Sequence, residues 1–99
     1  NNLAVVVWAL SSAHEDFSAA IGNAVSAGWD TDCNGATVGG LFGLTGRPIP
    51  ALWTKPWAGR VGVSLAGLHE LSLDSLVART MDVSRQLADS APPGQGICS

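Results

Sequence analysis

Apolar residues run unbroken from Leu3 to Leu10, and from Phe17 onward they recur every three or four positions. The first run suits a helix capped by Asn1 or Asn2. Being apolar all round, such a helix has to be buried on every side. Val5-Val6-Val7 also suits a buried strand, and periodicity alone does not separate the two. The helical pattern of the later segments favours helix. Ser12-Ala13-His14-Glu15 has the spacing of a capping box, which predicts a second helix from about Asp16 to Ala27. Phe17, Ile21, Ala24 and Val25 fall on one face of it, and Gly28 supplies the stop.

A third helix is expected from Asp32 or Asn34 to about Leu44. Gly35, Gly39 and Gly43 recur along it every four residues. Each glycine inside a helix costs about 0.5–1 kcal/mol relative to alanine. A stripe of them is kept where another backbone approaches closely, as at small-residue helix interfaces. Pro48 and Pro50 end the helix, and Pro50 suits the first position of a short helix through Trp53. Between Lys55 and Gly67, Val61, Val63 and Leu65 alternate like a strand, while Gly59, Gly62 and Gly67 weaken that reading. Ser72 is placed to cap a last helix whose face is Leu73, Leu76, Val77, Thr80, Met81 and Leu87. The segment 90–99, with Pro92-Pro93-Gly94 and Gly96, reads as a disordered tail. The pattern is that of an all-α chain, with residues 1–89 as the folded part.

Composition changes this picture in one respect. Of 99 residues only 13% are charged and 46% are hydrophobic, and that charged share is about half the usual one. A small globule has much surface to cover with polar groups. A fragment whose apolar faces belong against a missing segment of the same polypeptide is therefore expected. The net charge is −3, and the five basic residues, Arg47, Lys55, Arg60, Arg79 and Arg85, form no cluster. That argues against a nucleic-acid partner. Leu3–Leu10 is too short for a membrane span, which takes about 20 residues. No basic residue precedes it, as one would in a signal peptide. Cys33 and Cys98 are too few for a secreted disulfide scaffold and read as reduced thiols in a cytoplasmic protein.

The candidate chemistry lies in Asp30-Thr31-Asp32-Cys33-Asn34-Gly35. Carboxylates this close repel each other and raise each other's pKa unless a cation lies between them. A divalent metal with oxygen ligands accounts for the pair. The bland alternative is that one Asp caps the third helix, which leaves the second unexplained. The first half of an EF-hand also matches, but Val38 and Leu41 stand at positions nine and twelve, where ligands are required. Elsewhere the chain offers little. His14 and His69 have no zinc spacing, and Ser64 and Ser72 have no nucleophile context. Gly35–Gly40 lacks the lysine of a phosphate loop. Trp8, Trp29, Trp53 and Trp57 read as core.

The run from Ala27 to Thr37 resembles the C-terminal metal motif of the ADP-ribosylglycohydrolase family, Gly-Gly-Asp-Thr-Asp-Thr followed by a small-residue helix. Arg47-Pro48-Ile49-Pro50-Ala51-Leu52-Trp53 is similar to the Ile-Pro-x-x-Trp segment of that family, and the resemblance extends over about Ser12 to Leu87. It implies the C-terminal part of an orthogonal helical bundle and Mg²⁺-dependent removal of ADP-ribose from protein side chains. The full-length protein would hold two Mg²⁺ ions, with Mn²⁺ as a substitute. Asp30 and Asp32 would be metal ligands, and Cys33 stands where the family has a threonine hydroxyl. A thiol is a poor partner for so hard a cation, which leaves Cys33 as a small packed residue. The remaining ligands of the family, a Thr-Asp-Asp cluster, belong to its N-terminal half, and no Asp-Asp pair occurs in this sequence. The chain would thus supply part of a site, and alone would be inactive toward ADP-ribose or an ADP-ribosylated protein. The other reading is a non-catalytic relative that keeps the fold for ligand binding or structure, motivated by Cys33.

Overall fold

The computed structural model describes residues 1–92 and 94. Most of the expected tail, together with Cys98, lies outside the described residues. The chain is mostly helical and carries one small two-stranded sheet. It divides into two compact units, 1–54 and 55–99.

The first unit holds α1 (Asn2–Ser12), α2 (Phe17–Ser26), α3 (Thr31–Gly43) and the single-turn α4 (Ala51–Thr54). Its core is Val6, Ala9, Ala13, Ala20, Ala24, Val38 and Phe42. Alanines at the contact faces let α1 and α2 pack closely, with Val38 and Phe42 of α3 filling the space beside them. Phe17 meets Phe42 edge to face with ring centroids 5.3 Å apart, and Trp53 from its other neighbour at 5.8 Å. The Trp53 indole N–H donates to Ser18 Oγ at 2.8 Å, so α4 is tied to α2 by one polar and one aromatic contact.

Three local expectations need correction. α1 is a helix, but only Val6 and Ala9 are buried, while Leu3, Val7 and Trp8 are exposed. The capping box at Ser12 does not form, because α1 runs through Ser12, whose hydroxyl donates back to the Trp8 carbonyl at 2.7 Å. Asp16 caps α2 instead, accepting from the Ala19 amide at 2.7 Å. The reversal between the helices is made by His14 and Glu15, both with positive φ, and Glu15 pairs with Arg47 at 2.8 Å. The glycine stripe meets side chains rather than a backbone. A Cβ at Gly35 would touch Val25, and one at Gly39 would touch Ile21, whereas Gly40 and Gly43 face open space.

The second unit begins with a 3₁₀ turn (Lys55–Trp57), followed by β1 (Arg60–Gly62), β2 (Glu70–Ser72) and α5 (Leu73–Ser90). The strands are antiparallel, with Val61 opposite Leu71, and Arg60 pairs with Glu70 at 2.8 Å. Of the alternating residues only Val61 lies in a strand. The Val63 amide extends the ladder by donating to the His69 carbonyl. Ser72 caps α5 through the Ser75 amide, as the sequence indicates. No described residue of this unit is buried. Leu73, Val77, Met81 and Leu87 of the expected α5 face are exposed, and so is Trp57.

Candidate metal centre

The chain leaves α2 through Gly28, whose φ of 74° belongs to the left-handed region that glycine enters freely. Trp29 follows with its ring about half exposed, not in the core. Asp30 then occupies the position just before α3. A residue there usually has extended backbone, and its side chain accepts from the first free helix amides. Asp30 does neither. Its φ and ψ are 49° and 53°, left-handed, and its side chain makes no capping bond. The backbone at Trp29 and Asp30 is held from two sides. Asn34 Nδ2 donates to the Trp29 carbonyl at 2.7 Å, and the Asn34 amide donates to the Asp30 carbonyl at 2.9 Å. Asn34 is 2% exposed, the buried polar residue of this unit, so its geometry is fixed by packing.

This turn gathers the motif. One oxygen each of Asp30 and Asp32 and the Cys33 sulfur lie within 4.8 Å of one another. All three residues are exposed, so the pair stands in solvent. Asp32 sits in the first turn of α3, where the helix N-terminus favours a negative charge. Asn2 Nδ2, from the start of α1, donates to Asp30 Oδ2 at 2.9 Å. Nothing in the sequence pattern marks Asn2 as more than a helix cap, because its partner is 28 residues away.

The donor set splits by chemistry. Carboxylate oxygens suit hard divalent cations such as Mg²⁺ and Mn²⁺, so Asp30 and Asp32 fit one. A thiol does not. A hydrogen bond to the Asp30 carboxylate, and then the charges of Asp30 and Asp32, push the Cys33 thiol above its ordinary pKa. Cys33 is exposed, a correction to its reading as a small packed residue. His14 and His69 take no part in this cluster. Among the described residues no helix is long and apolar enough to cross a membrane.

Small helices packed around alanine and glycine, with a carboxylate pair gathered at the foot of one of them, define a helical protein with a candidate cation site. The family model for ADP-ribosylglycohydrolase matches residues 1–88, and the chain belongs to that family. Membership points to the hydrolysis of ADP-ribose linkages. Searches of curated proteins and of solved structures found no match.

Proposed function

We propose that the chain supplies part of the divalent-cation site of an ADP-ribosylglycohydrolase acting on ADP-ribosylated protein side chains, with Asp30 and Asp32 as ligands. The observation that carries this reading is the direction of the Asp30 side chain. The backbone accepts a left-handed, strained conformation and forgoes a helix cap, and the carboxylate stands beside Asp32. Strain of this kind persists where the surrounding structure over-determines it, often at functional sites.

The family chemistry breaks the bond to the anomeric carbon of ribose through a cation-like transition state. Mg²⁺, or Mn²⁺ in its place, would fix the ribose hydroxyls and acidify a water. Asp30 and Asp32 would set the position of the ion and offset its charge. With Asp30, Asp32 and Cys33 exposed, further ligands and the walls of a dry cleft would come from another segment, as the resemblance to the orthogonal bundle of the family implies. A second ion would be held there. The test is isothermal titration of Mg²⁺ and ADP-ribose into the protein and its Asp32→Ala variant. Loss of Mg²⁺-dependent binding is expected, and unchanged binding refutes the assignment.

Cys33 favours a second reading, a relative that retains the fold and binds ligand without turnover. Its thiol, held protonated by its acidic neighbours, offers no hard donor at the third position. Robust glycohydrolase turnover by the protein excludes this reading.

A further inference from the structure

We propose that Asn2 is a positioning residue for the cation site, holding the Asp30 carboxylate where an ion can use it. The inference rests on Asp30 being a ligand and adds a function for α1 that the motif itself does not contain. A carboxylate on a short side chain rotates freely unless something fixes it. Asp30 has lost the ordinary fixings of its position, the amides of its own helix. The Asn2 bond at 2.9 Å takes their place, beside the hydrogen bond that the neighbouring Cys33 thiol makes to the same carboxylate. It commits Oδ2 of a carboxylate that has one oxygen within 4.8 Å of an Asp32 oxygen and the Cys33 sulfur.

The chemistry of the donor matters as much as its position. A carboxylate accepts only, so the bond requires the amide nitrogen of Asn2. That nitrogen is neutral: it orients Asp30 without cancelling the charge that attracts a cation. A lysine or arginine at the same place would pair with the carboxylate and compete with the ion. Asn2 is also spared other work. It is the first residue of α1, exposed, with Asn1 in the capping position. Hydrogen bonds from groups behind metal ligands commonly change metal affinity about 10–100-fold when removed, and an exposed bond belongs at the low end of that range.

The two ends of the arrangement differ in kind. Asn34 fixes the backbone of the turn from inside, so its loss would disturb the fold as well as the site. Asn2 fixes only the side chain from outside, so its loss separates positioning from stability. Alanine in its place keeps the start of α1 helical, because alanine is the best helix former.

A double-mutant cycle with Mn²⁺ alone tests the proposal, using electron paramagnetic resonance to count free ion in the whole protein that carries the complete site, as wild type, Asn2→Ala, Asp30→Asn and the double variant. Asn2→Ala is expected to weaken Mn²⁺ binding about tenfold, with the circular dichroism of the chain unchanged. In the Asp30→Asn background the same change is expected to have no further effect, since the charged ligand that the bond orients is gone. Asn2→Ala binding Mn²⁺ as tightly as wild type, or its loss adding in full to that of Asp30→Asn, overturns the positioning role and leaves Asp30 as a ligand. No Mn²⁺ binding by the wild type, or undiminished binding by Asp30→Asn, overturns the ligand assignment itself and the positioning role with it.

Discussion

Asp16 and Asp30 stand at the same place in their helices, one residue before the first turn, and the structure gives them opposite work. Asp16 has extended backbone and accepts from the Ala19 amide. Replacing it with alanine strands that amide and is expected to cost about 1 kcal/mol, the typical loss of a capping side chain. Asp30→Gly removes no cap. It relieves a left-handed conformation that costs an L-residue about 1 kcal/mol. Against that stand the extra entropy of glycine in the unfolded chain, about 0.5–1 kcal/mol, and the loss of the Asn2 hydrogen bond, about 0.5 kcal/mol for an exposed pair. The sum lies within about 1 kcal/mol of zero. Native-state hydrogen exchange of the slowest amides in α2 and α3 reads both changes on one scale. Asp16→Ala should accelerate exchange about fivefold, Asp30→Gly distinctly less, whereas only Asp30→Gly should weaken Mg²⁺ binding. If Asp30→Gly loosens the helices as much as Asp16→Ala and leaves cation binding intact, Asp30 is an ordinary cap and the argument for a carboxylate site fails.

Two further outcomes follow from the first unit. Val38 is fully buried; Val38→Ala removes two methyl groups, at about 0.8 kcal/mol each plus the cavity they leave. About 2 kcal/mol, or roughly thirtyfold faster exchange of the core amides, is expected, and a change under twofold would show that α3 is not packed on α1 and α2 as described. The Arg47 hydrogen bond, and secondly its charge, hold Glu15 below its ordinary value of 4.5. A carboxyl with a depressed folded pKa stabilises above its unfolded value and loses that contribution as pH falls through the folded one. Glu15→Gln should therefore lower the urea midpoint slightly at neutral pH and in low salt, and match wild type at acid pH; an equal deficit at both pH values refutes the ion pair.

The helices were legible because their patterns are strong. Phe17, Ile21 and Ala24 mark the α2 face, and Gly28 its end. The second capping signal, Asp16, was hidden by the better-known spacing of Ser12 and Glu15. Local rules score each cap separately, whereas α1 had already claimed Ser12. The burial of α1 was overestimated because an apolar run does not say how many neighbours reach it. The carboxylate motif was legible as a string of residue types. Its geometry was not, since it depends on a left-handed Asp30, a buried Asn34 and a partner at Asn2, none of which has a local signature. The small sheet was weakly visible at Val61 and Val63, because three-residue strands carry barely one full alternation.

The second unit contains no buried residue among those described, yet it carries an eighteen-residue amphipathic helix. A solitary helix of this length is marginal in water. During synthesis the stretch around Val6, Val38 and Phe42 can condense by itself, while α5 has only the small hairpin of its own unit to lie against. Until a larger surface covers them, Leu73, Val77, Met81 and Leu87 form a greasy stripe of the kind that chaperones capture and proteases attack. Cellular abundance of this polypeptide would then follow the supply of whatever shelters α5 more closely than the strength of its own interior.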